Sequence, residues 1–109
     1  MRMLDATFQA LAEPRRRAIL RELGDRELTA GEIASRFAVS RPAISQHLAV
    51  LRAARLVDER RDGTRRWYRA RRDGLVPVRD WVGSFWEEQL GALRVAIDDD
   101  RRPKESGDG

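Results

Sequence analysis

Residues 29–54 read TAGEIASRFAVSRPAISQHLAVLRAA, and this stretch decides the fold. Thr29-Ala30-Gly31-Glu32 has the spacing of a capping box, in which the Thr29 hydroxyl and the Glu32 carboxylate each satisfy a free backbone N–H at a helix start. A short helix follows, with Ile33 and Phe37 on one face. Ala38-Val39-Ser40 reads as a tight turn, Ser40 as the N-cap of a second helix, and Pro42 as a first-turn residue whose missing N–H has no helical partner to lose. The second helix is expected from about Arg41 to Ala54. Turning about 100° per residue, it places Leu48 and Leu51 within about 40° of Ile44, so these three point inward. Two short helices joined by a three-residue turn make a helix-turn-helix pattern.

On the N-terminal side, Leu4, Phe8 and Leu11 share one face of an opening helix, and Glu13-Pro14 interrupts it. Pro14 suits the first turn of a new helix carrying Ile19, Leu20 and Leu23, which stops at Gly24. On the C-terminal side, Leu56-Val57 opens a polar extended stretch, and Asp62-Gly63 is a strong hairpin signal. Thr64 to Ala70 returns as a second strand, with Tyr68 expected inward alongside Ala70 and Trp67 on the other face. Asp73-Gly74 and Pro77 lead into a last helix from about Val78 to Ile97. Residues 1–97 thus read as one mainly α domain with a small β-hairpin and no internal repeat. Asp98 to Gly109, acidic and then rich in Pro, Gly and Ser, reads as a disordered tail.

Composition narrows the function. A chain of 109 residues is one domain, and it has no cysteine and a single histidine, His47. A cysteine nucleophile and a thiolate metal site are therefore excluded, and one histidine cannot build an imidazole zinc site. The expectation is no metal, no cofactor and no enzymatic activity. No apolar run approaches membrane-spanning length and no signal-peptide core precedes Asp5 and Glu13, so the expected location is cytoplasmic with no membrane partner. The net charge of +4 is unevenly spread: residues 1–40 carry +1, residues 41–72 carry +7, and residues 73–109 carry −4. Arg outnumbers Lys by 21 to 1, a coding bias that raises Arg everywhere but does not cluster it. A concentrated basic block is an electrostatic footprint for a polyanion, and nucleic acid is the expected partner.

The outer face of the second helix supports that expectation. Pro42, Ser45, Gln46, Ala49 and Arg52 lie opposite the core stripe, and neither Glu nor Lys occurs between Arg41 and Arg52. Such a small polar face can approach a DNA groove closely. Gln46 can make a bidentate amide contact with adenine, Ser45 can reach a base or a phosphate, and Arg41 suits guanine or phosphate. The hairpin carries Arg60 and Arg61 before its turn and Thr64, Arg65 and Arg66 after it, a tip suited to phosphates or to a minor groove. His47 flanks the core stripe, where a half-buried, hydrogen-bonded role competes with DNA contact. In the last helix, Val78, Trp81, Val82, Phe85, Trp86, Leu90, Leu93 and Ile97 cover about half the circumference. A helix that covers only a small core needs a narrower stripe, so part of this arc is expected to meet a second subunit. Trp81 and Trp86 are also candidates for lining a ligand cavity.

Helix, helix-turn-helix and Arg-rich hairpin in this order make a winged helix. The segments Glu13-Pro14-Arg15-Arg16-Arg17-Ala18-Ile19-Leu20 and Ser40-Arg41-Pro42-Ala43-Ile44-Ser45-Gln46-His47-Leu48 resemble those of the ArsR-type winged-helix repressors, and the likeness runs from about Ala6 to Ile97. The resemblance implies a homodimeric transcriptional regulator joined through its first and last helices, with Leu4 and Phe8 beside the last-helix arc. It places Ser40, Arg41, Ser45 and Gln46 on a recognition helix and makes Arg16 a phosphate contact. Metal-sensing members carry a pair of cysteines where this chain has Thr29 and Gly31, and others build a zinc site with histidines on a last helix that here has none. Asp80-Trp81 and Phe85-Trp86-Glu87-Glu88 resemble a metal-independent branch instead.

The leading expectation is a sequence-specific, double-stranded-DNA-binding dimeric repressor on a palindromic promoter site, with autoregulation and an effector ligand left open. The alternative is a winged helix that uses its basic face on an acidic protein partner. A third reading, a refinement of the first, is a sensor of a small molecule or an oxygen-ligated metal.

Overall fold

Ten-residue helices α1 (Arg2–Leu11) and α2 (Pro14–Leu23) begin the chain. A two-residue strand β1 (Leu28–Thr29) then leads into α3 (Ala30–Phe37) and α4 (Arg41–Ala53). Strands β2 (Val57–Asp62) and β3 (Arg65–Ala70), a 3₁₀ turn (Arg72–Leu75) and α5 (Val76–Arg101) complete it. This computed structural model describes the backbone of residues 2–101 and the side chains of residues 3–99. The part through Val78 is one compact unit, and α5 from Arg79 onward is a second, described by itself.

The local signals act as their chemistry dictates. Both hydrogen bonds of the capping box are present, Glu32 N–H to Thr29 Oγ1 at 3.1 Å and Thr29 N–H to Glu32 Oε1 at 2.9 Å. Ser40 caps α4 by accepting from Ala43 N–H at 3.2 Å. Glu13 caps α2 by accepting from Arg15 N–H at 2.6 Å, and Gly24 closes that helix by donating to Leu20 O. Ile44, Leu48 and Leu51 are fully buried and pack with Ile19, Leu23, Ile33, Leu56, Val57 and Tyr68 into one core. Tyr68 is inward as expected, with Ala70 packed partly buried against the same cluster.

Four details add to the sequence reading or differ from it. On α1 the buried side chains are Thr7 and Ala10, whereas Phe8 is exposed and Leu4 and Leu11 are half-buried. Thr7 tolerates complete burial because its hydroxyl donates to Met3 O at 2.8 Å. The hairpin is part of a three-stranded antiparallel sheet in the order β1-β3-β2, since Leu28 and Thr29 pair with Tyr68 and Trp67. Two residues lie below the length at which periodicity is readable, so this strand exists only because β3 offers it a partner. The turn itself sits one residue later than expected: Asp62 pairs with Arg65, leaving Gly63-Thr64 as the loop. Gly63 alone takes positive φ, 66°, the pattern of a turn with Gly first.

The last helix starts at Val76 and continues through Asp98–Arg101, beyond the expected boundary at Ile97, while residues 102–109 of the expected tail lie outside the described residues. Pro77 falls in its first turn, where proline is compatible with helix. Gly74, before it, is demanded by packing: a Cβ there would lie 2.1 Å from Arg55 O. Arg55 in turn holds a left-handed φ of 61° at the end of α4.

Candidate nucleic-acid interface

The cap at Ser40 and the buried stripe of α4 together orient the rest of that helix. Ser40, Arg41, Pro42, Ser45, Gln46 and Ala49 are all exposed. Among the described residues, the side chains of Ser45 and Gln46 have no partner within the chain, so their donors and acceptors remain available. The Arg41 guanidinium lies close to Gly31 at the start of α3, 3.8 Å from where a Cβ would stand. An open cleft of about 560 Å³ runs between α3, α4 and the hairpin. Its walls bring Arg41 and Ser45 together with Thr64, Arg65 and Arg66 from the hairpin tip. Residues from the recognition helix and the wing thus meet at one basic concavity.

The strand pleat sorts the remaining wing residues onto two faces. Val57, Glu59 and Arg61 share the core-side face with Arg66, Tyr68 and Ala70, and the cross-strand pairs Glu59–Tyr68 and Arg61–Arg66 follow from this register. Arg60, Asp62, Arg65 and Trp67 lie on the opposite face. There Arg60 makes a bidentate pair with Glu27 at 2.8 and 3.0 Å. That hydrogen bond holds the Glu27 carboxyl below its ordinary pKa and the Arg60 guanidinium above its own. Arg60 and Arg65 also lie over the Trp67 ring, 6.0 and 5.7 Å from its centre. The Trp67 Nε1–H is buried without a hydrogen-bond partner among the described residues.

Several expected contact residues are already engaged. Arg16, which the resemblance makes a phosphate contact, also straps α1: Nε donates to Ala10 O at 2.8 Å and a terminal nitrogen to Gln9 O at 3.1 Å. Arg17 adds a bond to Leu11 O at 2.6 Å. The last carbonyls of a helix lack intrahelical donors, and α1 has no basic residue of its own in that turn, so the next helix supplies them. The remaining Arg16 nitrogen is 3.4 Å from Nδ1 of half-buried His47, in line with the hydrogen-bonded role for that histidine. Arg52 pairs with Glu59 at 3.1 Å. Glu27 and Glu59 are the residues that sequence reading missed; for Glu59 a signal existed, because alternation from Val57 puts it on the core-side face.

Thr29 and Gly31, where metal-sensing relatives carry cysteines, do not fit a metal. Gly31 has no side chain, and Thr29 Oγ1 and Glu32 Oε1 are held in the capping box. On α5, Trp81 stacks on Phe85 with centroids 5.4 Å apart and Phe85 meets Trp86 edge-on at 5.2 Å. Together with Leu90, Leu93 and Ile97 these rings form an exposed apolar stripe. Among the described residues, no helix is long and apolar enough to cross a membrane.

Comparison with known proteins agrees with this geometry. Residues 11–60 match the model of a helix-turn-helix domain. The chain is 46% identical over 94 residues to the HTH-type transcriptional regulator Rv2034 of Mycobacterium tuberculosis, covering 86% of this chain and 88% of that one. It is 34% identical to the transcriptional repressor SdpR of Bacillus subtilis, covering 75% and 91%. Among solved structures, an ArsR-like transcriptional regulator from Rhodococcus sp. RHA1 superposes with a TM-score of 0.70 at 34% identity, covering 86% of this chain and 92% of that one. A possible transcriptional regulator for arsenical resistance superposes at 0.66 with 42% identity, covering 81% and 92%. This helix-turn-helix with its basic wing, in a chain similar to such regulators over most of their length, is a DNA-binding device and not an enzyme: the chain belongs to the ArsR family of helix-turn-helix transcriptional regulators.

Proposed function

We propose that this regulator is a cytoplasmic homodimeric repressor that occupies a palindromic promoter site, its own among them. The observation that carries the reading is the cleft joining Arg41 and Ser45 of α4 to Thr64, Arg65 and Arg66 of the wing. In this reading α4 enters the major groove, with Ser45 and Gln46 on base edges and Ser40, Arg41 and Pro42 at the backbone. Arg61 and Arg65 of the wing take phosphates alongside. Two copies join through Leu4 and Phe8 of α1 and through Trp81, Phe85, Trp86, Leu90, Leu93 and Ile97 of α5. Two-fold symmetry then sets the recognition helices about 34 Å apart, one DNA turn, which is what makes the site palindromic. Repression is supported by the named repressor among the relatives.

The test is fluorescence anisotropy on the DNA immediately upstream of the gene, at two salt concentrations, against a scrambled duplex. Preference for the upstream duplex with a steep salt slope supports the proposal, and footprinting must then show a palindrome. Gln46→Ala is expected to relax base choice, whereas Arg65→Ala weakens every duplex and flattens the slope by about 0.9. Equal effects of both changes on all sequences would refute the division of roles. Absence of binding to either duplex, with a salt-insensitive protein complex in its place, would transfer the basic face to an acidic protein partner.

A further inference from the structure

The most basic segment of the chain, residues 41–72, contains three acids, and one of them, Glu59, sits between arginines of the recognition helix and the wing. Glu59 lies on the core-side face of β2, and its side chain is only 12% exposed. One carboxylate oxygen forms an ion pair with Arg52 of α4 at 3.1 Å. The other faces Arg66 Nε of β3 at 3.5 Å and the Tyr68 hydroxyl at 3.4 Å. A single carboxylate therefore holds two guanidinium groups, one from the recognition helix and one from the wing. Both arginines stay half-exposed at 53% and 54%, within reach of an incoming phosphate. The two arginines are half-exposed, so solvent screens their side of each pair, while the carboxylate between them is nearly buried.

We infer that Glu59 is a specificity-determining positioning residue, which withholds Arg52 and Arg66 from phosphates and thereby suppresses binding to non-cognate DNA. The inference rests on the basic face described above being the DNA surface. Non-specific binding comes almost entirely from neutralising phosphates and releasing their counterions. A carboxylate between two arginines removes much of their charge from that process and repels the duplex as well. On a cognate site, base contacts from α4 set the register and hold the complex while the two arginines stay on Glu59. On other DNA nothing but charge holds the duplex, and the loss is felt in full. Discrimination is a difference between affinities, and it widens when the wrong complex is weakened more than the right one.

The experiment compares the full-length protein with Glu59→Gln, Glu59→Asp and Arg61→Ala on the upstream and scrambled duplexes across a salt series. The Gln substitution keeps the shape and an acceptor for Tyr68 while removing the charge. It is expected to tighten scrambled-duplex binding about tenfold at low salt and to steepen the slope by about 0.9 for each arginine released. The preference for the upstream duplex should fall, and Glu59→Asp should stay near the unsubstituted protein. Unchanged or weaker scrambled-duplex binding by a folded Glu59→Gln protein overturns the inference. Should that variant fail to fold, Arg66→Ala decides instead: little loss of scrambled-duplex affinity is expected, because that charge is already withheld, and a loss as large as that of Arg61→Ala overturns the inference. Arg61 lies on the same strand face and makes no ion pair among the described residues. Its loss weakening all DNA while Glu59→Gln does nothing would overturn the Glu59 role alone, whereas no effect from either would show that this face is not the DNA surface.

Discussion

Helices α4 and α5 both carry apolar stripes at helical spacing, and the two stripes have opposite fates. Ile44, Leu48 and Leu51 of α4 are 0% exposed. Trp81, Phe85, Trp86, Leu90, Leu93 and Ile97 of α5 are between 39% and 52% exposed in the single chain. The first stripe finds all its partners within the fold, while the second is an apolar surface of the kind that marks association. One periodic pattern thus encodes folding in one helix and, in our reading, assembly in the other.

The contrast is open to direct attack. Leu48→Ala leaves a cavity at the centre of the core and should cost about 2–5 kcal/mol, read as a large drop in Tm. A loss below about 1 kcal/mol would mean that α4 is not the keystone its burial indicates. Leu90→Glu, in contrast, should leave helix content intact by circular dichroism and weaken self-association by about 30-fold, the scale of an interface hot spot. Sedimentation that still shows the same dimer at the same concentration would break the comparison at α5.

A smaller effect is expected at the wing. The Glu27 carboxyl is depressed below its ordinary value of 4.5 by Arg60, so the pair contributes stability above that pH. That contribution is lost as pH falls through the lower folded value. Because the pair is solvent-exposed, the shift in Tm between pH 7 and pH 3 should differ only slightly between the native protein and Glu27→Gln, with the native protein losing more. Identical acid profiles would show that Arg60 is not held by Glu27 in solution.

The parts of the fold that were legible are those whose signals are local. Thr29 and Glu32 stand three residues apart, Ser40 directly precedes its helix, and the Ile44, Leu48 and Leu51 spacing is periodic. Each feature is enforced by chemistry within a few residues. Strand β1 escaped because it is two residues long and owes its existence to Tyr68 and Trp67 across the sheet. The burial of Thr7 on α1 escaped because a threonine satisfied by Met3 O carries no apolar signature.

For the interface, the sequence by itself determined which residue types line the recognition helix, where the wing turns to within one residue and that the middle of the chain is basic. What it left undetermined was which arginines are free. Arg60 meets Glu27 across 33 positions, and Arg16 meets His47 across 31. An arginine side chain is long and carries five donors, so no spacing rule names its partner. Only the tertiary structure, by setting β1 beside the wing and α1 against α2, decided that some of these cations are tied to acids or carbonyls. Apolar residues announce their role through periodicity because burial is a property of a face, whereas a charge acquires its role from the one group it happens to meet.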